Sequence, residues 1–264
     1  MKKLLITADD FGLGHEQNVG IDYAMRNGLV TQASIVMTNG EYTREAVEMA
    51  KDGGYADKLC LHLCITAGKA LSEDIKKVPI YYQNDTFVYR RAQGFKILLF
   101  PVYIKELRKE FEAQIKEFLS YGLTLKHIDT HHYIHFSIPS FIALYPLIRK
   151  YSVKSVRAYT RAKKRFGVTL RRWRIIYYGA MNLLYRILLK NFVPYASPAG
   201  DYIKNDKTAQ KYNCIEIYTH PYIQNDVVYD LFSRDTKKEN YTLEDSVACI
   251  NDLEKYKKTF YNEM

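Results

Sequence analysis

The stretch Leu4-Leu-Ile-Thr-Ala-Asp-Asp-Phe-Gly12 decides the fold of this 264-residue chain. A short apolar run bounded by polar residues predicts a buried β-strand. Asp9 and Asp10 follow that run directly. Parallel α/β folds bind their ligands at the carboxyl ends of the strands, so carboxylates at this position are candidates for a functional site. An Asp pair alone is more often a helix cap or a solvated turn, so other residues must support the site.

Outward from this strand, apolar runs alternate with stretches of helical period. The sequence predicts strands over residues 32–38, 58–65, 125–131, 153–158 and 213–219, and helices over 16–27, 43–51, 104–120, 139–151, 171–190 and 243–258. Repeated β-α units favour a parallel sheet, either open or closed into a barrel. We expect one catalytic domain, residues 1–264, in which residues 68–101 form a loop or lid insertion.

The net charge of +10 is concentrated in residues 149–190, which contain thirteen Arg and Lys and no acid. This segment is interpreted either as a solvated basic face or as a contact with an anionic partner. No nucleic-acid recognition motif is present, so we expect no nucleic-acid partner. Because no signal peptide and no membrane-spanning run is found, we expect a cytoplasmic protein.

Histidines cluster near the ends of the predicted strands. Four of the seven fall within residues 127–135, and His62 and His220 follow other strands. Grouped imidazoles are costly to desolvate unless they bind a metal or transfer a proton. The pattern therefore indicates a site rather than a set of core histidines.

One carboxylate and two imidazoles suit a catalytic divalent metal that keeps a water ligand. The metal lowers the pKa of that water, a second carboxylate takes its proton, and a histidine protonates the leaving group. These parts predict hydrolysis of an amide or an ester. Cys60, His62 and Cys64 alternate along one strand, but three ligands from one strand surround an ion poorly, so we interpret the cysteines as small buried side chains.

Four ordered motifs resemble the YdjC-like carbohydrate deacetylase family, which includes the chito-oligosaccharide deacetylases. They are Ile6-Thr-Ala-Asp-Asp-Phe-Gly12, Leu61-His-Leu-Cys-Ile-Thr66, His127-Ile-Asp-Thr-His-His-Tyr-Ile-His135 and Thr219-His-Pro221. The similarity is specific over residues 2–160 and again over 196–222. It implies a distorted (β/α) barrel of about seven mostly parallel strands.

The resemblance also implies removal of N-acetyl groups from an amino sugar or an N-acetylated oligosaccharide, a hydrolysis of linear amide C–N bonds in carbohydrate metabolism. It implies one divalent ion, magnesium or zinc, bound by Asp10, His62 and His131, with Asp9 as the general base and His220 as the acid. The residues expected in contact with substrate or around the ligands are Thr7, Phe11, Cys64, His127, Asp129, His132, His135, Arg157 and Pro221.

The chain departs from the family pattern at Thr7 and Cys64, where the family commonly has Asn, and both positions adjoin the expected site. The basic helical insertion at residues 159–193 also has no counterpart in the family pattern. It suggests an anionic or lipid-linked glycan as substrate.

Two other functions remain open. The positive charge motivates a metal-dependent phosphoesterase, which often uses paired ions. The second is a non-catalytic protein that binds an anionic membrane or a glycan through residues 157–190, and so lies peripherally on the membrane. Apolar residues recur there at helical spacing, and we expect them to pack on the core instead. These apolar residues are Trp173, Ile176, Tyr177, Ala180, Leu183, Leu184, Ile187 and Leu188.

A homodimer is a further hypothesis.

Overall fold

The computed structural model describes residues 2–88, 101–159, 164–165, 168–169, 171–189, 193, 195–199, 211–231, 242–248 and 256–263. The strands are β1 (Lys2–Phe11), β2 (Gln32–Ile35), β3 (Leu59–Leu63), β4 (Tyr82–Gln83), β5 (Thr86–Phe87), β6 (His127–Thr130), β7 (Ser155–Val156), β8 (Lys164–Arg165), β9 (Val168–Thr169), β10 (Ala196–Pro198), β11 (Cys214–Thr219), β12 (Pro221–Gln224), β13 (Val227–Asp230) and β14 (Tyr256–Lys258). The helices are α1 (His15–Arg26), α2 (Glu41–Asp52), α3 (Pro101–Ser120), α4 (Ile138–Lys150), α5 (Arg172–Leu188) and α6 (Leu243–Ala248).

The main sheet follows the order β10-β11-β1-β2-β3-β6-β7, and β14 also pairs with β1. Every pairing in this sheet is parallel. The seven strands curl into a half-barrel accompanied by helices, which confirms the expected distorted (β/α) barrel. The carboxyl ends of the strands consequently meet at one rim.

Along each strand of the main sheet the side chains alternate between an apolar face and a polar face of the sheet, and both faces are buried. One face carries apolar side chains such as Ile6, Ile35 and Leu61, which join the hydrophobic core that also contains residues of α1 to α4. Since successive side chains of a strand point to opposite faces, the residues between them line the inside of the half-barrel. The buried polar or titratable residues on that inner side are Thr7, Asp9, Gln32, Ser34, Cys60, His62, His127, Asp129, Ser155, Arg157 and Glu216.

Three predicted elements differ from the structure. The strand expected to reach His131 ends at Thr130, where the chain enters the 3-10 segment His131–Phe136 with positive φ angles at His132 and Tyr133. Residues 68–88, expected as a loop with some helix, contain a 3-10 turn and also the hairpin β4–β5, which was not predicted, whereas residues 89–100 lie outside the described part. Of the closing helix expected over 243–258, the described part shows helix over Leu243–Ala248, and residues 249–255 lie outside it. Tyr256–Lys258 is not helical but pairs with β1, since the start of β1 offers backbone groups for a strand.

Helix α5 forms where the sequence predicts a basic helix, but its apolar stripe is not buried. The buried side chains are Met181, Asn182 and Tyr185, which lie on the opposite side of the helix. The expected packing of the stripe on the core is therefore wrong for Trp173, Ile176, Ala180, Leu183, Leu184 and Ile187, which are all exposed. Within the described residues, no helix combines the length and the apolar character that crossing a membrane requires.

Candidate metal and catalytic site

Two consecutive carboxylates, Asp9 and Asp10, lie at the end of β1 and both turn toward His62. In a regular strand their side chains would point to opposite faces. The register of β1 against β2 shifts between Ala8 and Phe11, and Asp10 has a φ of 73°. This irregularity allows both carboxylates to approach His62: each shares with it a cluster whose ligand atoms lie within 4.8 Å of one another.

Asp10, His62 and His131 place three ligand atoms around one point. Oδ1 of Asp10 lies 2.7 Å from Nδ1 of His131 and 3.3 Å from Nε2 of His62. One carboxylate oxygen and two imidazole nitrogens at this spacing fit a divalent cation with open positions for water and substrate. The family resemblance implied that these three residues act together, and the structure brings them together.

The negative charges around these three side chains favour the binding of a cation. Burial raises the pKa of Asp10, but His131 and His62 outweigh it and hold the pKa well below its ordinary value, so the carboxylate is ionised. Burial lowers the pKa of His62, but Asp129 and Asp10 raise it well above its usual value. The side chains around His62 thus create a negative potential.

Asp129 orients His62. Its Oδ1 lies 2.6 Å from Nδ1 of His62, and the Ser34 hydroxyl donates a short hydrogen bond to the same oxygen. A carboxylate that accepts the proton of one imidazole nitrogen leaves the other nitrogen free to bind a metal. Here that other nitrogen is Nε2, which faces Asp10.

Arg157 is a fully buried cation among three carboxylates. Its Nη1 and Nη2 form a bidentate pair with Asp9 at 2.5 and 2.7 Å. Nη2 also lies 2.5 Å from Oδ2 of Asp129, and Nε donates to Glu216 at 3.0 Å. Burial raises the pKa of Asp9 more than Arg157 lowers it, so this carboxylate is a stronger base than an exposed aspartate. With 1% of its side chain exposed, Arg157 is not part of the basic surface predicted for residues 149–190.

Glu216 is a residue of this network that sequence reasoning missed. It lies on β11 and accepts hydrogen bonds from Thr7 at 2.8 Å and from the Tyr261 hydroxyl at 2.8 Å. The signal available in the sequence is an acidic residue in the middle of the apolar run Cys214-Ile-Glu-Ile-Tyr-Thr219. Tyr261 has no such signal, since only the tertiary fold brings it to β11.

His220 lies across from the metal ligands, immediately after β11. Its Nε2 is 3.8 Å from Oδ2 of Asp9, and its backbone N–H donates to Asp230 at 2.9 Å. Burial lowers its pKa to about 4 against the opposing effect of Asp10 and Asp230, so the ring is neutral at pH 7. Pro221 begins β12, which pairs with β13 and holds this turn in place.

The other predicted site residues surround the ligands without joining them. His135 is buried between the Thr130 hydroxyl and the Arg157 carbonyl, and His132 contacts the Thr66 hydroxyl at 3.0 Å. Cys64 is bonded to Gln114 through its backbone N–H. Phe11 follows Asp10 directly, and its ring is buried in the core against Tyr55.

His127 and Cys60 form a separate buried group with Asp129. The His127 ring stacks on Tyr261 with centroids 3.4 Å apart, and burial lowers its pKa well below the ordinary value. Cys60 donates through Sγ to the Ala33 carbonyl, as a small buried side chain does. The ligand groups found among the described residues are Asp10/His62/His131, Asp9/His62/Asp129 and Cys60/His127/Asp129.

Comparisons with known proteins point to one protein family. A model of the YdjC-like protein family matches residues 3–254. A carbohydrate deacetylase from Clostridium beijerinckii is 35% identical over 133 residues, which is 50% of this chain and 51% of that protein. A chitooligosaccharide deacetylase from Yersinia enterocolitica is 30% identical over 152 residues, which is 57% of this chain and 56% of that protein. The chain thus spans about half the length of the curated relatives it matches.

One solved structure matches nearly the whole chain. It is a protein from Enterococcus faecalis for which cellobiose-phosphate cleavage has been suggested, with a TM-score of 0.67 and 21% identity. The match covers 99% of this chain and 98% of that one. At this identity the similarity supports the fold alone.

Proposed function

The chain belongs to the YdjC-like family, and from this premise we propose that it is a metal-dependent hydrolase that removes N-acetyl groups from an amino sugar or an N-acetylated oligosaccharide. The observation that carries the proposal is the convergence of Asp10, His62 and His131 beside a separate carboxylate, Asp9. The names of the matched relatives, carbohydrate deacetylase and chitooligosaccharide deacetylase, support the substrate class.

Asp10, His62 and His131 would hold one divalent ion, magnesium or zinc. Such an ion, when bound, polarises the amide carbonyl and lowers the pKa of a bound water. The protein supplies an ionised Asp10 and a His62 whose Nδ1 is occupied by Asp129. Both features prepare these side chains as ligands.

Asp9 is proposed as the base that removes a proton from the attacking water. Arg157 holds both of its oxygens, so the carboxylate has one orientation. Water adds to the amide carbon, the C–N bond breaks, and the amine must gain a proton as acetate departs. His220, which is neutral at pH 7, is proposed to act as the acid by passing on to the amine the proton that Asp9 takes from the water, since its Nε2 lies 3.8 Å from Oδ2 of Asp9. A ring whose pKa is about 4 does not retain that proton.

The phosphoesterase alternative is disfavoured by the charges of the site. Arg157 is the arginine of the described cluster, and Asp9, Asp129 and Glu216 already surround it. It therefore offers no free donor to a phosphate. Two of the three ligand clusters among the described residues also share His62, which suits one ion better than two.

Acetate release from N-acetylated mono- and oligosaccharides, measured with and without a chelator, tests the proposal. We expect activity on at least one N-acetylated sugar that is lost on chelation and restored by adding metal. Release of phosphate from phosphate esters with two metal ions per chain would contradict it. A cytoplasmic location, a homodimer and an anionic or lipid-linked glycan remain predictions from the sequence.

A further inference from the structure

Helix α5 presents a surface of unusual composition. Its exposed positions, together with Arg171 at its N-cap, are all either apolar or arginine. Ile176 and Ile187 are each 72% exposed, and Trp173 is 55% exposed. Burying such side chains stabilises an association by about 25 cal/mol per Å², so a row of them in water marks an interaction surface. The apolar members of this outer face are Trp173, Ile176, Ala180, Leu183, Leu184 and Ile187.

The inner side of α5 is attached firmly to the protein. The Tyr185 hydroxyl donates to the His135 carbonyl at 2.8 Å, and the Tyr177 hydroxyl donates to the Phe136 carbonyl at 2.5 Å. The Asn182 side chain exchanges two hydrogen bonds with the backbone of Tyr159, at 3.0 and 2.7 Å. These bonds determine which side of the helix faces out, so the outer face is not a loosely packed core face.

The outer face has the geometry of a helix that lies in a membrane interface. At about 100° per residue, its apolar side chains fall within an arc of about 100°, and from Trp173 to Ile187 the stripe is about 21 Å long. Arg172 and Arg186 lie on one flank of the stripe, and Arg174 lies on the other. An apolar stripe flanked by cations, with Trp among the apolar residues, is typical of a helix on anionic lipid.

The charges argue against a second copy of this chain as the occupant. No Asp or Glu occurs between Asp129 and Asp201. Two copies joined through their outer faces would bring guanidinium groups together without a carboxylate from this segment, and like charges at an interface are destabilising. A bilayer with anionic headgroups neutralises the same arginines and accepts the apolar stripe without a complementary shape.

We infer that the outer face of α5 binds the surface of an anionic lipid bilayer and places the protein peripherally on it. The inner side of α5 is bonded to the segment His131–Phe136, whose first residue faces Asp10. The lipid-binding helix and the metal-binding rim are therefore parts of one connected structure. The inference does not depend on which reaction the site performs.

The single tryptophan of the chain makes the test specific. Because Trp173 lies on the outer face, tryptophan emission, excited at a wavelength that the 24 tyrosines do not absorb, reports on that face. The full chain is mixed with vesicles of phosphatidylcholine containing phosphatidylglycerol, or with vesicles of phosphatidylcholine alone. We expect a blue shift, protection from acrylamide and co-flotation with the anionic vesicles, and much weaker binding to the neutral ones.

Variants of exposed residues separate binding from folding. Ile176→Ser/Ile187→Ser should weaken vesicle binding at least tenfold, and Arg172→Gln/Arg174→Gln about fivefold per arginine. The matched controls Ile142→Ser on α4 and Arg44→Gln on α2 are also exposed and should bind like the parent chain. Circular dichroism checks that every variant is folded.

Three results would overturn the inference. The first is no flotation with anionic vesicles. The second is a Trp173 emission that is already blue-shifted and shielded from acrylamide in vesicle-free buffer, which would mean that another protein segment covers the face. The third is a dimer by light scattering that Ile176→Ser/Ile187→Ser dissociates, which would assign the face to a second copy. Acetate release plays no part in these measurements, so their failure is distinct from failure of the proposed deacetylase.

Discussion

Oδ1 of Asp129 lies 2.6 Å from Nδ1 of His62, and this contact directs Nε2 of the same ring toward Asp10. The sequence places His62 and Asp129 sixty-seven residues apart, on strands that pair in the sheet with these two residues in register. The pairing register of β3 and β6 thus determines the orientation of a proposed metal ligand.

Asp129→Asn is expected to weaken metal binding by about 10- to 100-fold, because the amide holds the His62 ring less strongly and no longer increases its basicity. Isothermal titration with zinc or magnesium measures the change. Asp52→Asn, at an exposed position on α2, is the matched control and should bind metal like the parent. Unchanged affinity in Asp129→Asn would show that His62 is positioned by other contacts.

Asp9→Asn is expected to keep the metal and lose about 10²- to 10⁴-fold in acetate release, since a missing general base has that effect. Asp10→Asn provides the contrast, because it should lose the metal as well. Metal content by mass spectrometry and acetate release are measured on the same preparations. Asp9→Asn with full activity would rule out the proposed role of Asp9.

Arg157→Gln is expected to destabilise the fold by about 3–5 kcal/mol, because it leaves buried carboxylates without their cation. Urea unfolding followed by circular dichroism measures the free energy. Arg149→Gln removes an exposed arginine from the same basic stretch and should change stability by no more than about 0.5 kcal/mol. Similar effects of both changes would contradict the assignment of Arg157 to the interior.

His135 is expected to make stability fall in mild acid. Burial lowers its pKa to about 3, whereas the unfolded chain has a pKa of about 6.5. Between these values the unfolded state binds the extra proton, so the stability present above pH 6.5 decreases as the pH falls, by about 2 kcal/mol at pH 5. Urea unfolding at pH 7 and pH 5 should show a smaller loss for His135→Asn than for the parent. Equal losses would assign the acid sensitivity to other groups.

Gly20→Ala is expected to destabilise the protein by about 1–3 kcal/mol and to reduce acetate release. A Cβ atom at Gly20 would lie 2.8–2.9 Å from the Tyr222 backbone, so α1 would have to move away from β12, the strand that follows His220. Glu16→Ala changes an exposed position of the same helix and serves as the control. Thermal unfolding and acetate release together decide whether the close contact positions His220.

Much of the fold followed from local patterns. Apolar runs separated by helical stretches predicted the parallel strands β1, β2, β3, β6 and β11, because a buried strand and an amphipathic helix have different periods. The predictions failed where tertiary contacts decided the conformation. Residues 256–258 form a strand because the start of β1 accepts them as a partner, and nothing in their own sequence requires it.

The sequence by itself determined that carboxylates and imidazoles lie at strand ends: Asp9, Asp10, His62, His220 and the histidines of residues 127–135, from which the family resemblance selected His131. It also determined the alternation of apolar and arginine residues along α5. Only the tertiary structure decided that Arg157 faces inward, that Glu216 and Tyr261 complete its surroundings, and that the apolar stripe of α5 faces water. The physical reason is that ion pairing and burial depend on contacts between segments distant in sequence, whereas periodicity is a property of one segment alone.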